Sequence, residues 1–381
     1  MIIDFSLPDF FNSLNPQNEF EAKVVLFLKE WFSETLTVKV QTSGSTGVPK
    51  ILEIKKSRMR NSAKLTCDFL DLNSGNSALI CLPIDYISGK MMIVRSIERK
   101  LKLFVCEPSV KPLEFLHSEI DFCAMTPLQA EHSLNKIGLI KKLIIGGAAV
   151  SESLKQKLKT KLLKTENQQQ CHTEQSRSAS IIKPQSSTQK VKTSHDLSQP
   201  TIIYETYGMS ETLSHIALKE IFPKDRDYFQ LFPDIKISAD ERGCLKINAP
   251  KLNPETLQTN DIVEIKNDKE FRFLGRIDNV INSGGVKIFP EELENLVKKN
   301  IPNEVVFLGF PDEILGQKLV LVVEKQEDIN LIQDQVSNLK FQHSFHKPKD
   351  VVFVEKIPRT ANGKINRLEL INLLIKESHQ V

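Results

Sequence analysis

Small hydroxyl residues and glycines crowd the ten-residue stretch Gln41–Lys50, which reads QTSGSTGVPK. Short side chains leave backbone N–H groups free to bind an anion, the hydroxyls donate further hydrogen bonds, and Lys50 supplies positive charge. The spacing is not that of a Walker loop, which needs four residues between its first glycine and Gly-Lys. By composition alone such a cluster is typical of a surface loop, but its chemistry also suits phosphate groups.

Further glycine-containing stretches follow apolar runs that predict buried strands. These runs lie at 78–83, 101–108, 120–127, 141–147 and 201–208. Helical spacing between some of them, as at 57–71, predicts an α/β core with helices on both faces of a largely parallel sheet. Since ligands of such sheets bind at the carboxyl ends of the strands, IGGAAVS (145–151) and YETYGMSET (204–212) lie where a site is expected.

The composition and the predicted secondary structure of the chain change at two places. Residues 165–200 are rich in Gln, Ser, Thr and Lys and predict a flexible insertion. Beyond the antiparallel-strand patterns before residue 277, a helix led by Pro290 and two further strands predict a small α+β domain. We therefore expect domains at 1–277 and 278–381.

Bulk composition excludes several classes of protein. The chain has 381 residues and a net charge of +3, too mild to favour nucleic acid as the main partner. Its six cysteines are scattered singly, which suggests neither a zinc site nor a disulfide framework and suits a reducing cytosol. We read no signal peptide and no membrane-spanning run, and expect a cytoplasmic protein.

The order TSGSTGVPK resembles the phosphate loop of the adenylate-forming acyl-ligase superfamily, which includes acyl- and aryl-CoA synthetases and luciferases. Other motifs similar to those of the family follow in the family's order. The resemblance implies that ATP phosphates are held by Thr42, Ser43, Gly44, Ser45, Thr46, Gly47 and Lys50.

The segment YETYGMSET resembles the family's Y-G-x-T-E motif. The resemblance implies that Tyr207, followed by Gly208, packs on adenine and that Glu211 holds Mg²⁺, with Ser210 replacing the usual threonine. One carboxylate can suffice, because Mg²⁺ prefers few carboxylates together with waters and phosphate oxygens.

Two more stretches complete the implied nucleotide site. IGGAAVS resembles the adenine-side loop, which assigns Gly146, Gly147 and Ala148 to the base. QTNDIVEI resembles a T-G-D motif, so that Asp261 matches the aspartate that binds the ribose hydroxyls, while Asn260 replaces the usual glycine.

The C-terminal stretches FLGRIDNVINSGG and PRTANGKINR resemble the family's hinge and its catalytic loop. Arg276 then contacts the nucleotide, and Asp278 is the hinge about which the small domain rotates. Gly284 and Gly285 line the path of the thiol acceptor, and Lys364 enters the site for adenylation.

The resemblance implies a carboxylic acid–CoA ligase that uses ATP, Mg²⁺ and CoA and passes through an acyl-adenylate. It also implies a large N-terminal domain with mainly parallel sheets and a small β subdomain, followed by a mobile C-terminal domain. Only 41 residues precede Thr42, and this short form resembles bacterial o-succinylbenzoate–CoA ligases of menaquinone biosynthesis. Candidates for binding the acid are Tyr86, Lys90, Arg95, Ser214 and His215.

Other functions remain open at the level of the sequence. The chain could be a different acyl- or aryl-CoA ligase, or an enzyme that loads a carrier protein. A non-catalytic nucleotide-binding protein is a remote alternative, against which Glu211, Asp261 and Lys364 argue. The sequence does not indicate the oligomeric state.

We expect Lys364→Ala to slow adenylate formation by ~10²–10³, the usual loss for one preorganised charge-stabilising donor. Thioester formation from supplied acyl-adenylate should stay close to the wild-type rate. Pyrophosphate release and thioester formation measure the two half-reactions separately. Wild-type rates in both would remove Lys364 from the site.

Overall fold

A computed structural model describes residues 1–41, 51–164, 200–301, 303–325, 329–359 and 365–378. These ranges contain a twelve-stranded sheet, a five-stranded sheet and a two-stranded ribbon. The strands of the first half of the chain are β1 (Ile2–Asp4), β2 (Thr37–Gln41), β3 (Ile51–Lys55), β4 (Ser77–Ile80), β5 (Lys102–Val105), β6 (Ile120–Met125), β7 (Ile140–Ile145) and β8 (Ile202–Gly208).

Five neighbouring strands form the parallel half of the large sheet, in the order β5-β4-β6-β7-β8, with β1 antiparallel at the outer edge. Each apolar run predicted as a buried strand is confirmed. Their apolar runs are nearly continuous because both faces of a parallel sheet are covered. β2 and β3 form the separate ribbon.

An antiparallel half continues the same sheet beyond β8. Its strands are β9 (His215–Phe222), β10 (Phe229–Leu231), β11 (Lys236–Ala239), β12 (Cys244–Asn248), β13 (Leu257–Asn267) and β14 (Glu270–Arg276). The chain turns back tightly after Gly208, so that β9 pairs directly with the free edge of β8. A Cβ atom at Gly208 would lie 2.2 Å from the Ser214 carbonyl oxygen, which explains the glycine.

Helices cover both faces of the parallel strands. They are α1 (Glu19–Phe32), α2 (Lys56–Phe69), α3 (Ile87–Glu98), α4 (Pro127–His132) and α5 (152–164). Alternate strand residues separate into two apolar clusters, as strand geometry requires. Ala78 and Ile80 pack on the side of α2 and α3, whereas Leu79 packs with Leu154 and Leu158 of α5 on the other side.

The C-terminal sheet begins after the 3₁₀ turn Ile277–Asn279. It contains β15 (Ile281–Ser283), β16 (Val286–Ile288), β17 (Val305–Asp312), β18 (Gly316–Glu324) and β19 (Asp350–Val354), with helices α6 (Pro290–Lys298), α7 (Ile329–Ser337) and α8 (Arg367–Ser378). Other 3₁₀ turns lie at Phe10–Ser13, Ile137–Leu139, Ser210–Thr212 and Ser344–His346. The predicted α/β class is confirmed. In the described part of the chain, no helix has the length and apolarity to cross a membrane.

A buried ion pair ties α8 to the rest of the C-terminal sheet. Arg367 donates to Glu294 on α6 at 2.9 Å and to the Phe307 carbonyl of β17 at 3.0 Å. Glu294 also accepts the Phe307 N–H at 2.8 Å. Burial raises the pKa of Glu294 despite the opposing charge of Arg367, so the carboxylate depends on its partner.

We expect Arg367→Met to lower the free energy of unfolding by about 3–5 kcal/mol, because it leaves a buried carboxylate unpaired. Adding Glu294→Gln should recover most of this loss, since the amide oxygen still accepts the Phe307 N–H. Urea denaturation of the full chain measures both effects. Lys251→Met, which breaks an exposed pair with Asp234, is the control and should cost under about 1 kcal/mol. An equal cost in both single variants would contradict the role of Arg367.

Candidate functional site

The carboxyl ends of four parallel strands, β4, β6, β7 and β8, meet at one cavity of about 180 Å³. Helix α3 and the start of β9 close its side. It is lined by Leu82, Ile87, Ser88, Arg95, Ala124, Met125, Thr126, Ile144, Gly146, Gly147, Thr206, Gly208, Met209, Ser214 and His215. This is the position at which ligands of parallel α/β sheets bind. Six of the predicted site residues therefore come together here: Arg95, Gly146, Gly147, Gly208, Ser214 and His215.

The glycines after β7 are required by close packing at Gly146 and by a positive φ at Gly147. A Cβ atom at Gly146 would lie 2.3 Å from the Thr206 hydroxyl, and Gly147 has a φ of +87°. The next part of this loop is held by Glu205 of β8. Its carboxylate accepts the Val150 N–H at 2.9 Å and pairs with Lys219 at 2.9 Å. The loop thus passes close to the cavity with exposed backbone.

A charged side chain is buried in the cavity wall. Arg95 is 2% exposed, and it donates to the Ser214 hydroxyl at 2.7 Å. Its Nε atom has no hydrogen-bond partner, and no carboxylate pairs with its guanidinium within the described ranges. Burial lowers the pKa of Arg95 to about 10, so the group remains charged at neutral pH. The cavity therefore carries a positive charge that no described acidic side chain balances.

His215 lies beside this cation and is itself 6% exposed. Its Nδ1 atom lies 3.2 Å from the Ser214 hydroxyl, and its Nε2 atom lies 3.0 Å from the hydroxyl of Thr66 on α2. Burial, together with the charge of Arg95, holds the pKa of His215 well below its usual value. The imidazole is therefore neutral, and Arg95 supplies the positive charge of this wall.

A second group of polar side chains lies across β8 from the cavity. The Tyr207 hydroxyl donates to Asp261 Oδ2 at 2.6 Å, and Arg276 Nε lies 3.9 Å from Asp261 Oδ1. Burial and the neighbouring carboxylate raise the pKa of Tyr207, which keeps the phenol protonated as a donor. The Tyr207 ring packs against Phe229 and Phe271, so both partners are held in place.

The turn between the two sheets is tied to the large sheet. Arg276 donates to Asp278 at 2.7 Å, and the Asn260 amide donates to the same carboxylate at 3.0 Å. Partial burial lowers the pKa of Arg276, but the charges of Asp278 and Asp261 outweigh it and the pKa is raised. One network of hydrogen bonds and ion pairs thus connects Tyr207, Asp261, Arg276 and Asp278, and Asn260 joins it through Asp278.

Several predicted residues lie outside these two groups. Tyr86 precedes α3 and pairs its backbone with Gln41, just before the 42–50 stretch. Lys90 occupies another side of α3, with its ammonium 4.8 Å from the centre of the Phe27 ring, and it does not line the cavity. Ala148 follows Gly147 at the loop.

Ser210 and Glu211 lie in the 3₁₀ turn after β8, where the Glu211 side chain is exposed and its carbonyl accepts from Asn253 at 3.1 Å. Gly284 and Gly285 form the tight turn between β15 and β16, with φ of +60° and +82°. Lys364 and the predicted phosphate loop lie outside the described residues; that loop comprises Thr42, Ser43, Gly44, Ser45, Thr46, Gly47 and Lys50.

The residues missed from the sequence include Thr126, which lines the cavity, and Thr66, which contacts His215. Thr126 caps α4 in a capping box with Gln129, whose amide also donates to the Cys81 carbonyl at 2.9 Å. The T-P-x-Q spacing signals such a cap and could have been recognised. Thr66 gives no comparable signal, because a single threonine within a helix is indistinguishable from a packing residue.

The chain is similar to known proteins in sequence and in fold. No protein-family model matches the chain. A solved structure of an acyl-CoA synthetase (AMP-forming)/AMP-acid ligase II-like protein from Dyadobacter fermentans is 31% identical, with a TM-score of 0.60 over 98% of this chain and 99% of that chain. The 2-succinylbenzoate–CoA ligase of Lactococcus lactis is 24% identical over 363 residues, which cover 88% of this chain and 71% of that protein.

A third similarity concerns the fold alone. The MenE protein of Bacillus subtilis, an o-succinylbenzoate coenzyme A synthetase solved with ATP and magnesium ion, is 19% identical with a TM-score of 0.65, over 87% of this chain and 69% of that chain. The fold and the similarity over the whole Dyadobacter chain define an adenylate-forming enzyme. The chain belongs to the AMP-forming acyl-CoA synthetase family, as its motifs predict.

We expect Tyr207→Phe to raise the KM for ATP about tenfold, because Asp261 loses a charge-assisted hydrogen bond worth roughly 1.5 kcal/mol. The KM for the acid should stay unchanged, since Asp261 lies away from the cavity. Initial rates of pyrophosphate release give both constants. Tyr204→Phe on the same strand, whose ring packs edge-on against Phe69, is the matched control. A Tyr207→Phe enzyme with the ATP constant of Tyr204→Phe would disprove the role of the phenol.

Proposed function

We propose that this chain joins o-succinylbenzoate to CoA in an ATP-dependent reaction that passes through an acyl-adenylate. Membership of the AMP-forming family supports the chemistry, and the named relatives support the acid. The observation that carries the choice of acid is the buried Arg95 guanidinium in the cavity wall, which no described carboxylate balances.

The argument for the acid rests on desolvation. Burying an unpaired cation is costly, and a ligand anion offsets that cost only if it reaches the same place. An acid with one carboxylate leaves Arg95 unpaired once that carboxylate is used for the reaction. o-Succinylbenzoate has two, so that one can react while the other pairs with Arg95. A site built around a buried polar group rejects analogues that lack its partner.

In the first half-reaction, a carboxylate oxygen of the acid attacks the α-phosphorus of ATP, and the bond to the bridging oxygen of pyrophosphate breaks. In the second, the sulfur of CoA attacks the acyl carbon, the bond to the AMP oxygen breaks, and the thiol proton passes to solvent. The chain's part is positioning and charge stabilisation. We assign the phosphates to the 42–50 stretch, the ribose to Asp261, and the developing charge at the α-phosphate to Lys364.

Glu211 suits a magnesium ion. Its exposed carboxylate follows β8 directly, and the described residues contain no group of three or more metal-binding side chains. Mg²⁺ commonly takes one or two protein carboxylates and completes its shell with water and phosphate oxygens. When bound, the ion would neutralise charge on the triphosphate.

The two half-reactions require different groups, which we assign to two orientations of the 278–381 region about Asp278. The chain passes from the large sheet to the C-terminal sheet at the turn that carries Asp278. One orientation would present Lys364, and the other would present the Gly284 and Gly285 turn to the thiol.

Acid-dependent pyrophosphate release, measured with and without CoA, tests the proposal. o-Succinylbenzoate should give the highest kcat/KM in a panel with benzoate and fatty acids, and CoA should convert the adenylate to a thioester. Equal or better use of a fatty acid would refute the choice of acid. Pyrophosphate release without any thioester would point to a different acceptor, such as a carrier protein.

We expect Arg95→Met to raise the KM for o-succinylbenzoate about 30-fold or more, the usual scale for removing one partner of a buried charge pair. The KM for ATP should stay unchanged. Lys90→Met is the matched control, because it removes the other cation of α3, which does not line the cavity. Equal KM values for the two variants would remove Arg95 from the acid site.

A further inference from the structure

The Arg95 guanidinium needs a fixed direction if it is to select an acid. It extends from α3, and its described polar contacts are the Ser214 hydroxyl at 2.7 Å and the Met92 sulfur at 3.9 Å. When a long side chain makes one strong hydrogen bond, that bond fixes its orientation. The orientation of Ser214 is therefore decisive.

The hydrogen bonds around Ser214 form a continuous series. The donor and the acceptor of each bond can be assigned by starting from the two ends of the series. On α2, the Thr66 hydroxyl donates to the Ser62 carbonyl at 3.2 Å, and a carbonyl can only accept. The single Thr66 proton is then used, so the 3.0 Å contact with His215 Nε2 requires the imidazole to donate. His215 therefore carries its proton on Nε2 and accepts on Nδ1.

The remaining hydrogen bonds follow from this tautomer of His215. Ser214 donates its proton to His215 Nδ1 at 3.2 Å, which leaves the lone pairs of its oxygen for the Arg95 N–H. A guanidinium can only donate, so the assignments that start from Thr66 and from Arg95 give the same donor and acceptor for every bond. Thr66, His215 and Arg95 are each at most 6% exposed, which shields the Thr66–His215 bond from water, whereas Ser214 lines the cavity.

We propose that Thr66 and His215 are positioning residues that act through Ser214 to aim Arg95 at the second carboxylate of the acid. The inference rests on the function proposed above and adds two residues that fix its specificity without reacting. A neutral His215 is essential to this role, because a protonated imidazole could not accept from Ser214.

Thr66→Val tests this with little change in shape. It should raise the KM for o-succinylbenzoate about fivefold, the scale of one lost neutral hydrogen bond, and leave kcat and the KM for ATP unchanged. The comparison acids are benzoylpropionate and 2-butyrylbenzoate, each of which lacks one of the two carboxylates. The one that keeps the reacting carboxylate is the comparison substrate, and its KM should not change, because it lacks the carboxylate that pairs with Arg95.

Two controls separate positioning from packing. Thr66→Ser keeps the hydroxyl and should restore the wild-type KM. Ser62→Ala removes a buried hydroxyl of the same helix that has no hydrogen-bond partner among the described residues, and it should leave the preference for the dicarboxylic acid unchanged. Equal effects of Thr66→Val on o-succinylbenzoate and on the comparison substrate, or failure of Thr66→Ser to rescue, would overturn the proposal.

A substrate-free measurement keeps this inference separate from the identity of the acid. In ¹⁵N NMR spectra, His215 should show the neutral Nε2–H tautomer in the wild type, with its signals shifted or broadened in Thr66→Val. A wild-type enzyme with no preference for two carboxylates would refute the proposed function. The NMR result then decides the positioning alone, since an unchanged tautomer and unchanged Arg95 side-chain signals in Thr66→Val would refute it.

Discussion

The whole site depends on the alternation of β8. Successive residues of a strand point to opposite faces, and here Thr206 and Gly208 face the cavity while Tyr207, between them, reaches Asp261. One strand thereby builds two neighbouring groups of side chains, which stay in register because they share a backbone. A shift by a single residue would exchange the faces, place a phenol in the cavity and remove the donor from Asp261.

The described part of the cavity wall is almost entirely neutral. Methionine, serine and threonine surround Arg95, and the adjacent imidazole is uncharged. A single uncompensated charge in such a setting acts over the whole cavity, because no described counter-ion balances it. In the function proposed above, this charge selects an acid that brings a second negative charge, and the apolar lining adds a requirement for a suitably shaped body.

Prediction from the sequence succeeded where a motif is local and failed where contacts are distant. The strand–glycine junctions at Gly146 and Gly208 were visible because glycine is needed wherever two backbones nearly touch. The sequence also identified both cations of α3, but it could not decide between them. Lys90 and Arg95 are five residues apart, about 140° around a helix, so they do not share a face, and only the packing of α3 against the sheet shows which one is buried.

Thr66 is a residue whose contact could not be predicted from the sequence. Its partner His215 is 149 residues away in the chain, and nothing in the sequence around either residue indicates the contact. The role of Asn260 was also hidden. The sequence showed only that an asparagine replaces a glycine, whereas the structure shows its amide bound to Asp278.

That asparagine has a consequence for any rotation about the 277–279 turn. Any rotation about the 277–279 turn that carries Asp278 away must first separate its carboxylate from the Asn260 amide. A hydrogen bond to a charged group contributes about 1.5–3 kcal/mol, so this contact lowers the population of displaced orientations by roughly one to two orders of magnitude. A glycine at that position offers no such hydrogen bond, so Asn260 adds a second restraint on Asp278 to the one that Arg276 provides.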